Sequence, residues 1–198
     1  MRVIAGSARA TRLFAPTVSP VRPMLDRVKE SLFNLLAGRC EGARVVDLYS
    51  GTGSLGIEAL SRGAASAVFV EADPDLIPFI RRNLEKTRLA DRARIVRGDV
   101  RTALPRLQPI GPFDLVLCDP PYETVSDPVL RSRLCETLDR WVVAPDLFHP
   151  HTTLMIHHGP PATILWHFRR FALTRFRQYG KSVLSFFEPV AQPESPPC

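Results

Sequence analysis

Arg44-Val45-Val46-Asp47-Leu48-Tyr49-Ser50-Gly51-Thr52-Gly53-Ser54-Leu55-Gly56 is the stretch on which the reading of this chain turns. It opens on a short apolar run suited to a buried parallel strand and passes into helix-forming residues from Ser54 to Ser61. Glycines at 51, 53 and 56 have the spacing G-x-G-x-x-G in the setting that pattern requires, after a strand and before a helix. Such glycines permit a tight turn and let a ligand lie against the backbone. A dinucleotide-binding fold would look much the same over these residues.

Downstream, the pattern predicts a strand at 67–71, a helix at 74–86, a strand at 94–97, a helix near 100–107 and a strand at 113–118. Strand and helix alternating at this spacing argue for a parallel sheet covered on both faces, with right-handed crossovers. A helix at 128–141 and strands at 153–157, 168–178 and 183–187 bring the predicted sheet to seven strands. Upstream, 2–6 and 11–15 read as two short strands of a hairpin with Ser7-Ala8-Arg9-Ala10 at its tip. After a loop at 16–20, Pro23 opens a helix whose apolar face is Leu25, Val28, Leu32, Leu35 and Leu36, stopped by Gly38. On its other side Arg22, Arg27 and Lys29 are expected to face solvent or phosphate. The organisation expected is a basic hairpin-and-helix extension at 1–39, an α/β domain at 40–190 and a disordered tail at 191–198.

Four predicted strands in succession place an acid at or just beyond their carboxyl ends: Asp47, Glu71, Asp99 and Asp119. Open α/β sheets bind ligands at that edge. Asp47, before the glycine turn, suits an ammonium group and would repel a pyrophosphate. Glu71 is placed for ribose hydroxyls and Asp99 for an adenine amino group. A ligand carrying an ammonium, a sulfonium, ribose hydroxyls and an adenine amino group fits the row, and S-adenosylmethionine is that ligand. The fold class expected is therefore α/β, a Rossmann-like class I S-adenosylmethionine-dependent methyltransferase. The candidate cofactor set is Asp47, Tyr49, Ser50, Gly51, Thr52, Gly53, Gly56, Glu71, Ala72, Asp99 and Val100.

The candidate catalytic residues are Asp119, Pro120, Pro121 and Tyr122, directly after the apolar run ending in Cys118. The prolines fix φ and remove two backbone donors, leaving carbonyls and a carboxylate as acceptors beside a flat ring. Such a corner suits an exocyclic amino group on a base: its N–H bonds go to the acceptors while the ring of Tyr122 stacks. Bases are reached in this way when splayed out of their loops.

The 198 residues suffice for one domain with a substantial core. Their formal net charge of +6 is uneven. Residues 1–39 hold seven Arg or Lys against Asp26 and Glu30, and 166–181 hold five with no acid, around a slightly acidic middle. Two basic segments flanking a near-neutral core point to a polyanionic partner. Four scattered cysteines fit reduced thiols in a cytoplasm, and neither an apolar membrane-spanning run nor a signal peptide is read. The five histidines show no metal-ligand spacing, and His157-His158 reads as a plain strand end.

Taken together, Arg2-Val3-Ile4-Ala5-Gly6, Arg22-Pro23 with Asp26 to Asn34, the turn from Asp47 to Gly56, Glu58 to Ala64, Val70-Glu71, Phe113 to Tyr122 and Tyr179-Gly180 resemble the bacterial small-subunit rRNA guanine-N2 methyltransferases of the RsmD type. The resemblance spans nearly the whole chain. It departs at Ser7-Ala8-Arg9-Ala10, where the family often has a basic Lys-Gly-Arg run, at Met24, where threonine is common, and at His157-His158, where the strand often ends in an acid. The resemblance implies methylation of a guanine amino group in 16S rRNA, within the 30S subunit or an assembly intermediate, by a monomer. Arg9, Arg12 and Arg22 are candidate phosphate contacts and Tyr122 a candidate substrate contact. Three other readings compete: an adenine-N6 DNA methyltransferase using the same corner, a Rossmann oxidoreductase that leaves the Asp-Pro-Pro-Tyr corner idle, and a non-catalytic RNA-binding or ribosome-assembly factor retaining the cofactor fold.

Overall fold

The computed structural model describes residues 1–16, 24–160 and 166–190. Its strands are β1 (Arg44–Leu48), β2 (Ser66–Glu71), β3 (Ala93–Arg97), β4 (Phe113–Cys118), β5 (Phe148–His158), β6 (Phe171–Tyr179) and β7 (Ser182–Pro189). They form one sheet in the order β3-β2-β1-β4-β5-β7-β6. The first five are parallel, and β7 runs antiparallel to both β5 and β6. The helices are α1 (Asp26–Leu35), α2 (Ser54–Ser61), α3 (Ile77–Thr87), α4 (Leu104–Leu107), α5 (Tyr122–Ser126) and α6 (Pro128–Val142).

The central strands are apolar throughout because both faces of the sheet are covered. Successive side chains point to opposite faces of a strand. Val45, Phe69, Leu115 and Leu117 accordingly enter one core, with α1, α2 and α3. Val46, Leu48, Val68, Val70, Val116 and Cys118 enter the other, with α6. Full burial of each such side chain contributes about 1.5–3 kcal/mol. Val3, Leu13, Val28, Leu32 and Phe33 from the first 39 residues belong to the same core as α2, so the amino-terminal segment packs directly on the sheet's cover.

Several expectations are corrected here. Residues 2–6 and 11–15 form a hairpin but no continuous strands: one antiparallel bridge, Arg2 to Arg12, and backbone bonds from Val3 N to the Thr11 carbonyl (3.0 Å), Ala10 N to the Val3 carbonyl (2.9 Å) and Leu13 N to the Met1 carbonyl (3.2 Å) join them. Other backbone donors of this segment go to α2, with Ile4 N and Ala5 N donating to Glu58 (2.7 and 3.0 Å) and Ser7 N to the Ser61 carbonyl (2.8 Å). Lys29 does not face solvent or phosphate but is fully buried, its Nζ donating to the Arg2 carbonyl at 2.6 Å and to Ser54 Oγ at 3.0 Å. Leu25 caps α1 and is exposed rather than core. Helix α3 starts at Ile77, three residues later than expected, because Asp73 Oδ1 and Glu71 Oε1 accept from Asp75 N and Asp73 N (2.8 Å each) and hold 71–75 as a turn. Strand β6 starts at Phe171, since Arg169 N and Arg170 N donate to the Asp139 carboxylate (2.8 and 2.9 Å) and not to the ladder. Strand β5 begins five residues earlier than expected. The helix near 100–107 is two short pieces, a 3-10 turn at Val100–Thr102 and then α4. The expected loop at 16–20, the proline start at Pro23 and the tail at 191–198 lie largely or wholly outside the described residues.

Candidate active site at the carboxyl ends of the central strands

From β1 the chain winds outward through β2 and β3, then returns to lay β4 on the other side of β1. The crevice between the carboxyl ends of β1 and β4 is therefore the topological switch point of the sheet, where this architecture takes its ligands. Three backbone bonds fasten neighbouring strand ends together there: Gly98 N to the Glu71 carbonyl (2.8 Å), Ser50 N to the Val70 carbonyl (3.0 Å) and Asp119 N to the Leu48 carbonyl (3.4 Å). The acids thus stand in spatial order along one rim: Asp99 after β3, Glu71 on β2, Asp47 on β1 and Asp119 after β4.

Asp47 is 1% exposed, and its Oδ2 accepts Gly56 N at 2.8 Å. Gly56 has to be a glycine for packing: a Cβ there would stand 2.4 Å from the Phe69 ring and 3.1 Å from Asp47 Oδ2. Gly53 caps α2 with φ 83°, and a Cβ on Gly51 would meet nothing within 4 Å, which leaves the turn open on that side. Ser50 Oγ donates into the Asp47 and Val70 carbonyls (2.7 and 3.1 Å), and Glu71 Oε2 accepts Gly51 N at 2.7 Å. The glycine turn is thereby held from both β1 and β2. Tyr49 is half-buried with φ 58°, and burial pushes its hydroxyl pKa up. Thr52 Oγ lies 3.8 Å from Met1 Sδ, Ala72 is exposed, and Val100 is core.

Burial raises the Asp47 carboxyl well above its ordinary range; the Gly56 N–H opposes this, while the Asp119 and Glu71 charges add to it. Among the described residues no Lys or Arg pairs with Asp47 or Glu71. Three mutually repelling carboxylates around an open glycine turn form a donor set suited to a cationic ligand with hydroxyls. S-adenosylmethionine, with its ammonium, its sulfonium and its ribose, fits that set. Asp99 is differently engaged: Arg101 holds its carboxylate through Nε (2.9 Å), Nη2 (2.6 Å) and backbone N (2.8 Å), which keeps the acid below its usual range.

At the corner after β4, Pro120 is buried, Pro121 caps α5, and Tyr122 is 75% exposed. The structure brings Asp119 against a residue that sequence reasoning missed: His157 at the end of β5, whose Nδ1 is 2.7 Å from Asp119 Oδ1. No spacing rule joins positions 38 apart; the β4–β5 register, Cys118 beside Ile156, is what makes them neighbours. Arg9 and Arg12 are exposed on the amino-terminal segment, and Arg22 lies outside the described residues. Among the described residues no cluster of His, Cys, Asp or Glu is arranged to hold a metal ion, and no helix is long and apolar enough to cross a membrane.

Seven strands with only β7 reversed, between β5 and β6, a glycine turn at the switch point and an acid–proline corner beside it define a Rossmann-like class I methyltransferase. The chain is 27% identical to the solved Escherichia coli structure "Putative methyltransferase yhhF", with a TM-score of 0.80 over 97% of this chain and 99% of that one. It belongs to the family described as Conserved hypothetical protein 95, whose model matches residues 1–188. It is 33% identical over 153 residues to ribosomal RNA small subunit methyltransferase D of Haemophilus influenzae, covering 77% of this chain and 78% of that protein. The match to the Escherichia coli protein of the same name is 38% over 122 residues, 62% of this chain and 60% of that protein.

Proposed function

We propose that this protein transfers a methyl group from S-adenosylmethionine to the exocyclic N2 amino group of a guanine in 16S rRNA, carried within the 30S subunit or an assembly intermediate. The observation that carries this reading is the bond between Asp119 N and the Leu48 carbonyl, which seats an amino-group corner directly beside a glycine turn suited to the cofactor. The relatives named as small-subunit rRNA methyltransferases support RNA over DNA.

When bound, the cofactor supplies an electrophilic methyl on sulfonium; the chain's own residues do the rest. Asp47, Gly51, Gly53 and Glu71 would hold it, Asp47 by charge on the ammonium and Glu71 by accepting from the ribose hydroxyls. The amino nitrogen is a poor nucleophile because its lone pair is delocalised into the ring. Asp119 and the Pro120 carbonyl accept its two N–H bonds, favouring a more pyramidal nitrogen, and the Asp119 carboxylate receives the proton released as the N–C bond forms. Tyr122, exposed and flat, stacks on the splayed base. Positioning of this kind supplies much of the rate.

The test is Asp119→Ala, followed by two measurements on the same preparation: methyl transfer to RNA and equilibrium binding of S-adenosylmethionine. Transfer is expected to disappear while cofactor affinity stays within about threefold, as when an interaction used mainly in the transition state is removed. Parallel loss of both would reassign Asp119 to the cofactor.

A further inference from the structure

Cys118 and Ile156 are partners in the parallel β4–β5 ladder, so the next residues along each chain, Asp119 and His157, leave the sheet side by side. His157 Nδ1 and Asp119 Oδ1 are 2.7 Å apart, with only 16% and 29% of the two side chains exposed. The other ring nitrogen, Nε2, is buried and has no hydrogen-bond partner among the described residues. This orphan decides the tautomer. A buried N–H without an acceptor is rarer than an under-satisfied lone pair, so the hydrogen sits on Nδ1 and the lone pair on Nε2. Nδ1–H then donates to Asp119 Oδ1.

No other side-chain hydrogen bond to Asp119 occurs among the described residues. The neighbouring ring, His158, is occupied elsewhere, with Nε2 on Ser185 Oγ (2.8 Å) and Nδ1 on the Gly159 carbonyl (2.7 Å). Without His157 the Asp119 carboxylate would turn freely about its own bonds, and Asp47 nearby would repel it. We propose that His157 is a positioning residue of the methyl-transfer site. By donating to Oδ1 it fixes the Asp119 carboxylate and leaves Oδ2 to accept from the substrate's amino group. His157 does not itself touch substrate or reacting atoms. The assignment rests on the methyltransferase reading above.

Three variants of the full chain test it. His157→Phe keeps a ring and loses the donor, His157→Ala loses both, and His157→Asn puts an amide N–H where Nδ1–H was. The Phe and Ala variants are expected to lose about 10- to 100-fold in kcat, the range for one hydrogen bond to a charged group. KM for RNA and the Kd for S-adenosylmethionine should stay within about twofold, and the Asn variant should recover most of the loss. A role in folding alone would lower thermal stability, leave kcat per folded molecule unchanged and show no selective rescue by Asn; either of the last two results overturns the proposal. The ring-nitrogen NMR spectrum reads the same pairing without turnover. An Nδ1–H tautomer in the unmodified protein that shifts toward Nε2–H in Asp119→Ala supports the assignment, and Nε2–H in the unmodified protein refutes it. Should the unmodified protein methylate no RNA, the reading of the site falls, and the spectrum still decides the His157–Asp119 pair.

Discussion

Asp47 carries a charge that the fold without ligand disfavours. Burial, chiefly, holds its carboxyl above the usual range, so its folded pKa lies above its unfolded one. The sign follows: protonated Asp47 costs nothing below about pH 3.9, and the penalty grows as pH rises toward the folded value. Asp47→Asn keeps an acceptor for Gly56 N and removes the charge. It is expected to raise Tm of the ligand-free protein by about 2–4 °C near neutral pH, the shift that about 1 kcal/mol gives in a chain of this size. Near pH 4 it should have little effect. Cofactor affinity should fall sharply in the same variant. Thermal scans of both proteins across pH, with and without S-adenosylmethionine, check this; an equal effect at both pH values would remove the electrostatic account. At this scale Asp47, Glu71, Asp119 and Tyr122 were legible in the sequence because each lies at a strand end that hydrophobic pattern alone locates. His157 was not, because its partner is set by strand register. Asp99 was legible as an acid at the rim, but its engagement by Arg101 was hidden, since a charge two residues away looks like any surface pair.

At the scale of elements, the amino-terminal segment is fastened through Glu58 of α2. Its carboxylate is fully buried and accepts from Ile4 N, Ala5 N and Arg62 Nε, with Lys29 Nζ at 3.7 Å. Burial lowers the Lys29 pKa, and the Glu58 charge partly restores it. Removing Glu58 leaves the Lys29 ammonium buried without its adjacent acid, whereas removing Lys29 leaves Glu58 still paired with Arg62. Glu58→Ala is therefore expected to cost about 3–5 kcal/mol by denaturant unfolding and to release residues 1–13 to proteolysis, with a smaller loss for Lys29→Met. A loss below about 1 kcal/mol for Glu58→Ala would contradict the buried-pair reading. The sheet and its helices were readable from apolar periodicity and glycine spacing. The amino-terminal hairpin was legible, but its anchoring to α2 was not, because the donors of Ile4, Ala5 and Ala8 are claimed by side chains 53 and 54 positions away. Lys29 was misread for the same reason: a lysine reads as surface unless its buried acid is known.

Across the whole molecule, basic residues lie along the rim that carries the proposed site. Strand β6 is parallel to β5 because each is antiparallel to β7, and Val183 of β7 faces both His158 and Gln178. The β6–β7 turn therefore lies on the same rim as His157, two strand spacings or about 10 Å across. There Arg27, Glu30, Ser31, Asn34, Tyr179 and Gly180 line a recess that shares Arg27 and Glu30 with a second one reaching Arg2 and Arg9. If RNA follows these recesses to Tyr122, replacing Arg27, Arg9 or Lys181 by Gln should weaken RNA binding at every sequence. Each should flatten the log–log salt slope by about 0.7–0.9. An unchanged slope would place the RNA elsewhere.

The proposed activity is methylation of a guanine amino group in small-subunit rRNA at the corner beside the glycine turn. Its most direct test is methyl transfer from labelled S-adenosylmethionine to 30S particles, free 16S RNA and duplex DNA, followed by nuclease digestion and mass analysis of the nucleosides. N2-methylguanosine is expected from 30S particles or 16S RNA and none from DNA. Methyladenine in DNA, or cofactor bound with no transfer to any of the three, would contradict it.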